Sequence, residues 1–152
     1  MTIKKRYTQI STALILSALL IPSISRAELG GNAASVLAEQ KEFGSLLTTD
    51  TKNGTTVYIQ TLASGTILKE FLSSTGVVYA VSWSGPSLPN LQIILGSYFK
   101  NYLAALKQSR GSIFSTTENV VIQSSGMMGA FQGFAFLPKQ APSDFTTSSL
   151  GQ

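Results

Sequence analysis

Glu28, Glu39, Glu42, Asp50, Glu70, Glu118 and Asp144 are the acids of a chain that has no histidine and no cysteine. General acid–base work near neutral pH relies first on imidazole, whose ordinary pKa lies closest. Its absence removes every Ser-His and Cys-His nucleophile scheme, and with cysteine also missing, zinc or copper sites built from those two ligands. A carboxylate pair is the remaining route to hydrolysis, because two acids suffice to cleave a glycoside. The spacing argues weakly for such a pair. Glu39 and Glu42 stand three apart on a predicted helix and read as solvated surface. Glu70 follows Lys69 in a predicted strand, so the two side chains leave on opposite faces. No catalytic residue, cofactor or metal site is assigned on these grounds.

Three weaker motifs have plain structural readings. Ser97-Tyr98-Phe99-Lys100 matches an S-x-x-K pattern, yet it falls inside a predicted helix without the partner motifs that chemistry needs. Met127-Met128 offers two soft thioethers, too few for a copper site, and reads as turn packing. Asn53-Gly54-Thr55 resembles a glycosylation acceptor, but Asn-Gly is the strongest short hairpin signal. The cluster with most binding potential is Tyr79, Trp83, Gly85, Pro86, Ser87 and Pro89. There a strand hands over to a helix start, whose free amides beside an aromatic ring are suited to an anion or a peptide carboxylate. The plainer alternative is a core tryptophan under a rigid connection.

The elements that position these groups follow from turn chemistry and periodicity. Asn32 can cap a helix running to about Phe43, with Gly44 ending it. Ser45–Thr51, Thr55–Leu62, Thr66–Ser73 and Val77–Ser84 are strand-like runs separated by turns of two or three residues. Such short turns force antiparallel neighbours, giving a four-stranded meander. In the fourth run Val77, Tyr79, Val81 and Trp83 are expected on one face. Val78, Ala80, Ser82 and Ser84, all small, are expected on the other, where another layer can approach closely. A long amphipathic helix is expected from about Pro89 to Ser109, its stripe formed by Leu91, Ile94, Leu95, Tyr98, Phe99, Tyr102, Leu103 and Leu106. After a Ser/Thr loop, Asn119–Ser124 and Ala130–Leu137 make a last hairpin. The fold class is therefore α+β: an antiparallel sheet, meander plus C-terminal hairpin, with one long helix packed on it and a shorter N-terminal helix.

The first 27 residues have a different character. Lys4, Lys5 and Arg6 precede an apolar run from Ile10 to Ile21, and Ser25-Arg26-Ala27 completes a small-x-small cleavage pattern. This is the layout of an export signal, and the run is short of the ~20 apolar residues that a membrane span needs. The expected organisation is a signal peptide over 1–27, one domain over 28–138 and a loosely held tail over 139–152, periplasmic or extracellular after cleavage. Four of the eleven basic residues lie in the signal, so the seven left balance the seven acids. A mature surface without net charge lacks the basic footprint of a nucleic-acid binder or a polybasic membrane binder. No membrane insertion is expected once the signal is removed.

Two stretches carry a family resemblance. Ser64 to Phe71, and Gly76 to Leu91 with its Trp-x-Gly-Pro-x-x-Pro-x-Leu core, resemble the secreted bacterial proteins grouped as DUF2844. So do Leu29-Gly30-Gly31, Leu95 to Phe99, and later Gly126-Met127-Met128 with Phe131, Gly133-Phe134-Ala135 and Leu137-Pro138. Lys69 and Asn90 stand where Arg and Asp are expected in that family, and Met127 where His is common. The resemblance implies a small exported protein and supplies no catalytic residues. The function expected from all of this is an exported, non-catalytic domain that binds a protein partner or an envelope component. One alternative is a carboxylate-dependent hydrolase of envelope glycans or peptides. Another is an inhibitor or assembly chaperone acting through an edge strand.

Overall fold

The computed structural model describes residues 28–52 and 54–150. The predicted signal over 1–27 and Asn53 of the first hairpin turn lie outside these described residues. Asn32 begins the first helix, α1 (Ala33–Phe43), through a reciprocal cap. Its side chain accepts from the Ser35 amide at 3.1 Å, and the Ser35 hydroxyl accepts from the Asn32 amide at 2.8 Å. Gly44 closes the helix in the left-handed conformation.

β1 (Leu46–Lys52), β2 (Thr55–Thr61), β3 (Ile67–Leu72) and β4 (Val78–Gly85) form the expected meander. β6 (Val121–Met127) and β7 (Ala130–Phe136) form the expected hairpin. β7 docks antiparallel on β4, so both units merge into one sheet with strand order β1-β2-β3-β4-β7-β6-β5. The outermost strand, β5 (Ile113–Thr116), lies where the sequence suggested a Ser/Thr loop. Its four residues include only two apolar side chains, too few for an alternation to register.

One face of the sheet carries the main core. Leu68, Leu72, Val78, Val81, Trp83, Ile122 and Ala135 from the strands meet Val36, Leu91, Ile94, Leu95 and Tyr102 from the helices. The opposite face is covered too, as the small side chains of β4 suggested. Phe71, Tyr79, Ala80 and Phe134 are packed there beneath the C-terminal segment, which contributes Ala141, Phe145 and Leu150. Phe145 sits edge-on to Tyr79 at 5.4 Å and tilted against Phe136 at 5.1 Å. The Ser82 hydroxyl donates to the Leu150 carbonyl at 3.2 Å. The stretch expected to hang loosely after Pro138 thus packs Leu150 fully out of solvent. Replacing Leu150 by alanine is expected to cost about 3 kcal/mol, read as a lowered urea midpoint. An unchanged midpoint would mean that the segment is not part of the fold.

Two local irregularities redirect side chains that simple periodicity misplaces. In β4 the register slips: Leu72 pairs with Val78 and Phe71 with Ala80, leaving Tyr79 as the extra residue of a bulge. Alternation restarts beyond the bulge, so Val78 joins Val81 and Trp83 on the helix face, while Tyr79 turns to the other. The second irregularity divides the long helix. α2 (Leu91–Leu95) and α3 (Phe99–Gln108) flank a 3₁₀ turn at Gly96–Tyr98. Gly96 takes φ 50° and ψ −123°, and a methyl group there would overlap the Glu28 side chain. Each 3₁₀ residue advances about 120° instead of about 100°, which rotates the second half of the stripe. Leu103 and Leu106, expected in the core, are consequently exposed, whereas Tyr102 is buried.

Candidate functional site

The six residues of the expected strand-to-helix cluster do not form one site. Tyr79 lies across the sheet from Trp83, beside a 340 Å³ pocket that Phe71, Asp144 and Phe145 also line. Trp83 is 1% exposed, its indole lying against Gly133 of β7. Its Nε1 has no hydrogen-bond partner. Ser87 is tied to β3's entry, its carbonyl accepting from the Thr66 hydroxyl at 2.8 Å. Pro89 is buried. The expected anion position at the helix start is taken by the protein itself: the Asn90 side chain accepts from the Gln92 amide at 3.1 Å. α2 has five residues, too short for a sizeable dipole.

Gly85 and Pro86 do reach an open surface. They form one wall of a groove of about 730 Å³ at the end of the sheet. Gly111 and Ser112 line it as well, and the β6–β7 hairpin provides the rest, notably Gly126, Met127, Ala130 and Phe131. The hairpin tip next to it exposes Met127 at 75% and Met128 at 98%. Unbranched thioethers adapt to irregular apolar surfaces, so a wet methionine pair beside a groove is suited to contact with another protein. This corrects the expectation that the two methionines serve as turn packing.

The chemistry of the acids is also rearranged. Glu39, expected among the solvated positions of α1, is 1% exposed, and Glu70 of β3 is equally buried. One side chain joins them: Gln60 Nε2 on β2 donates to Glu39 Oε1 at 3.1 Å and to Glu70 Oε2 at 2.8 Å. The Gln60 carbonyl oxygen accepts from the Ser45 hydroxyl at 2.5 Å, and Gln40 Nε2 donates to the Ser45 carbonyl at 2.7 Å. Glu39 Oε2 has no hydrogen-bond partner. Burial pushes the Glu39 carboxyl up to about 9; the Glu70 charge adds to this, the Gln60 bond opposes it and Glu42 adds a smaller push. Burial likewise raises Glu70 to about 7 against the same Gln60 bond. A raised carboxyl is often a catalytic acid. Here neither carboxyl lines the 730 Å³ groove or the 340 Å³ pocket, and both are sealed from solvent.

The signal for this cluster was present in the spacing. Val36, Glu39 and Phe43 are three and four apart, which puts the acid on the apolar face of α1. Leu68, Glu70 and Leu72 alternate on one face of β3 in the same way. Among the motifs given plain readings, Ser97 and Lys100 are both exposed and border a shallow groove near Asn119. Among the described residues no group of three or more acids approaches metal-binding geometry.

The family model described as a protein of unknown function, DUF2844, matches residues 25–150. The chain belongs to the DUF2844 family. The segments that resemble the family in sequence are thus spread along the sheet, from Leu29 beside β4 to Leu137 after β7. Neither curated proteins nor solved structures give a match to this DUF2844 chain.

Proposed function

We propose that this DUF2844 chain is an exported, non-catalytic domain that binds a protein partner or an envelope component through the groove between the Gly85-Pro86 turn and the β6–β7 hairpin. The observation that carries the reading is the exposed Met127-Met128 tip beside a groove of about 730 Å³. Large apolar side chains left in water at a concave surface are the usual mark of an interaction site. Export rests on the basic start, the apolar run and the small-x-small site before Glu28. The non-catalytic part rests on the side chains available. Histidine and cysteine are missing, and the two acids with shifted titration sit where substrate has no access.

A photo-crosslinking residue at Met128, in cells that express the full chain, is expected to trap one discrete partner. The same probe at Thr49, exposed at the far edge of the sheet, is expected to trap none. Equal adducts from both positions, or none from Met128, would remove the groove from the account. Turnover of an envelope glycan by the purified chain, abolished by a single acid-to-amide change, would favour a hydrolase instead.

Strand β5 supports a second reading, that of an inhibitor or assembly chaperone. It is an edge strand of four residues with Phe114 exposed, and an edge of this kind can accept an added strand. That reading expects a stable heterocomplex on a sizing column, lost when a proline replaces Ser115.

A further inference from the structure

α1 is fastened to the sheet by few contacts. Its fully buried side chains are Ser35, Val36 and Glu39, while Leu37 points into solvent. The chain before it is stitched to β4, with the Gly30 amide donating to the Val78 carbonyl at 2.8 Å and the Val78 amide to the Gly31 carbonyl at 2.9 Å. The chain after it turns at Gly44 into β1. Between those two fixed ends, among the described residues, the hydrogen bond from Gln60 to Glu39 ties the body of the helix to the sheet.

That contact has an unusual proton balance. Two carboxyl groups share the two N–H groups of one amide, and the amide oxygen is already occupied by the Ser45 hydroxyl. Among the described residues the one ion pair joins Lys139 to Glu118, away from this cluster. The charged and titratable neighbours offer no compensation. Glu42 on α1 adds a like charge, and Tyr58 on β2 stands opposite Glu70 in register. Lys69 leaves β3 on the other face, Val81 of β4 is opposite Glu70, and Leu47 of β1 is opposite Gln60. Two buried carboxylates with no cation cannot both stay ionised at close range.

We propose that α1 is a proton-held latch: it closes on β2 and β3 while Glu39 and Glu70 retain protons, and it loosens when both ionise. Loosening withdraws Val36 from the main core and opens that part of the sheet to solvent or to a partner. The latch is separate from the groove at the β6–β7 end, so each reading can fail without the other.

Hydrogen exchange on the purified chain at about pH 6 and about pH 9.5, corrected for intrinsic rates, tests this. Amides of residues 33–43 are expected to lose about tenfold or more of their protection between the two pH values, a clearly larger loss than the one β4 and β7 share through the fall in global stability. The double variant Glu39→Gln, Glu70→Gln is expected to hold α1 equally protected at both. Equal protection of α1 in the unmodified chain at both pH values would overturn the latch. So would a loss shared evenly by α1, β4 and β7. Should the double variant fail to fold, the unmodified chain alone decides.

Discussion

Replacing Gly133 by alanine costs this domain about 3 kcal/mol or more, a large part of what holds an ordinary single domain together. A Cβ at that position would lie 2.6 Å from Trp83 Cε2 and 2.6 Å from the Gln123 carbonyl oxygen. The first neighbour is the largest fully buried side chain of the core and the second is backbone of the adjacent strand, so neither can yield cheaply. Truncating Trp83 would not rescue the variant, because the Gln123 carbonyl stays in place. Gly111→Ala is the control: nothing lies within 4 Å of its Cβ position, and a change within about 0.5 kcal/mol is expected. Urea denaturation of the two variants separates these outcomes. A Gly133→Ala chain as stable as the unmodified one would contradict the packing of Trp83 across β4 and β7.

The second large effect is a fall in stability with rising pH. Both carboxyls of the buried pair are raised above the ordinary value of 4.5, Glu70 to about 7 and Glu39 to about 9. Over that interval the folded chain holds protons that the unfolded chain has already released. Stability therefore declines as pH rises above the ordinary carboxylate range. The decline is steepest up to about 7, where two protons are at stake, continues to about 9 with one, and then levels off. Below the ordinary range this contribution no longer depends on pH. The thermal midpoint at about pH 5.5 is expected to exceed that at about pH 9 by roughly 5 °C or more. Changing Glu70 and Glu39 to glutamine is expected to flatten the profile. A rising profile over the same range would mean that the pair is stabilised as ions.

Most of the architecture was legible in the sequence because turns and alternation speak locally. Gly44 marks the end of the first helix, and Gly54, Ser64-Gly65 and Ser74-Thr75-Gly76 each mark a boundary between strands that the structure retains. What escaped depends on pairing between distant residues. The bulge at Tyr79 arises from the register of β4 against β3, so a count of two along β4 placed Tyr79 and Trp83 together when the sheet separates them. The rotation of α3 comes with the 3₁₀ turn at Gly96–Tyr98, where the Glu28 side chain fills the space beside Gly96, a contact across 68 positions that no window along the helix contains.

The buried acids were missed for a different reason. Charge reads as a sign of exposure at Glu39, although the apolar spacing around Glu39 and Glu70 places both inward. Burial of an acid is tolerable when its partners or its proton remove the charge. Met127, Met128 and the groove beside them stay on the surface.

Glu39 and Glu70 are expected to be held in the core by their protons rather than by a cation. Carbon-13 carboxyl shifts of Glu39 and Glu70, followed by NMR across the pH range in the unmodified chain, test it directly. Both are expected to titrate well above the ordinary carboxylate value of 4.5, with Glu39 the last to ionise. Midpoints for Glu39 and Glu70 in the ordinary carboxylate range would contradict it.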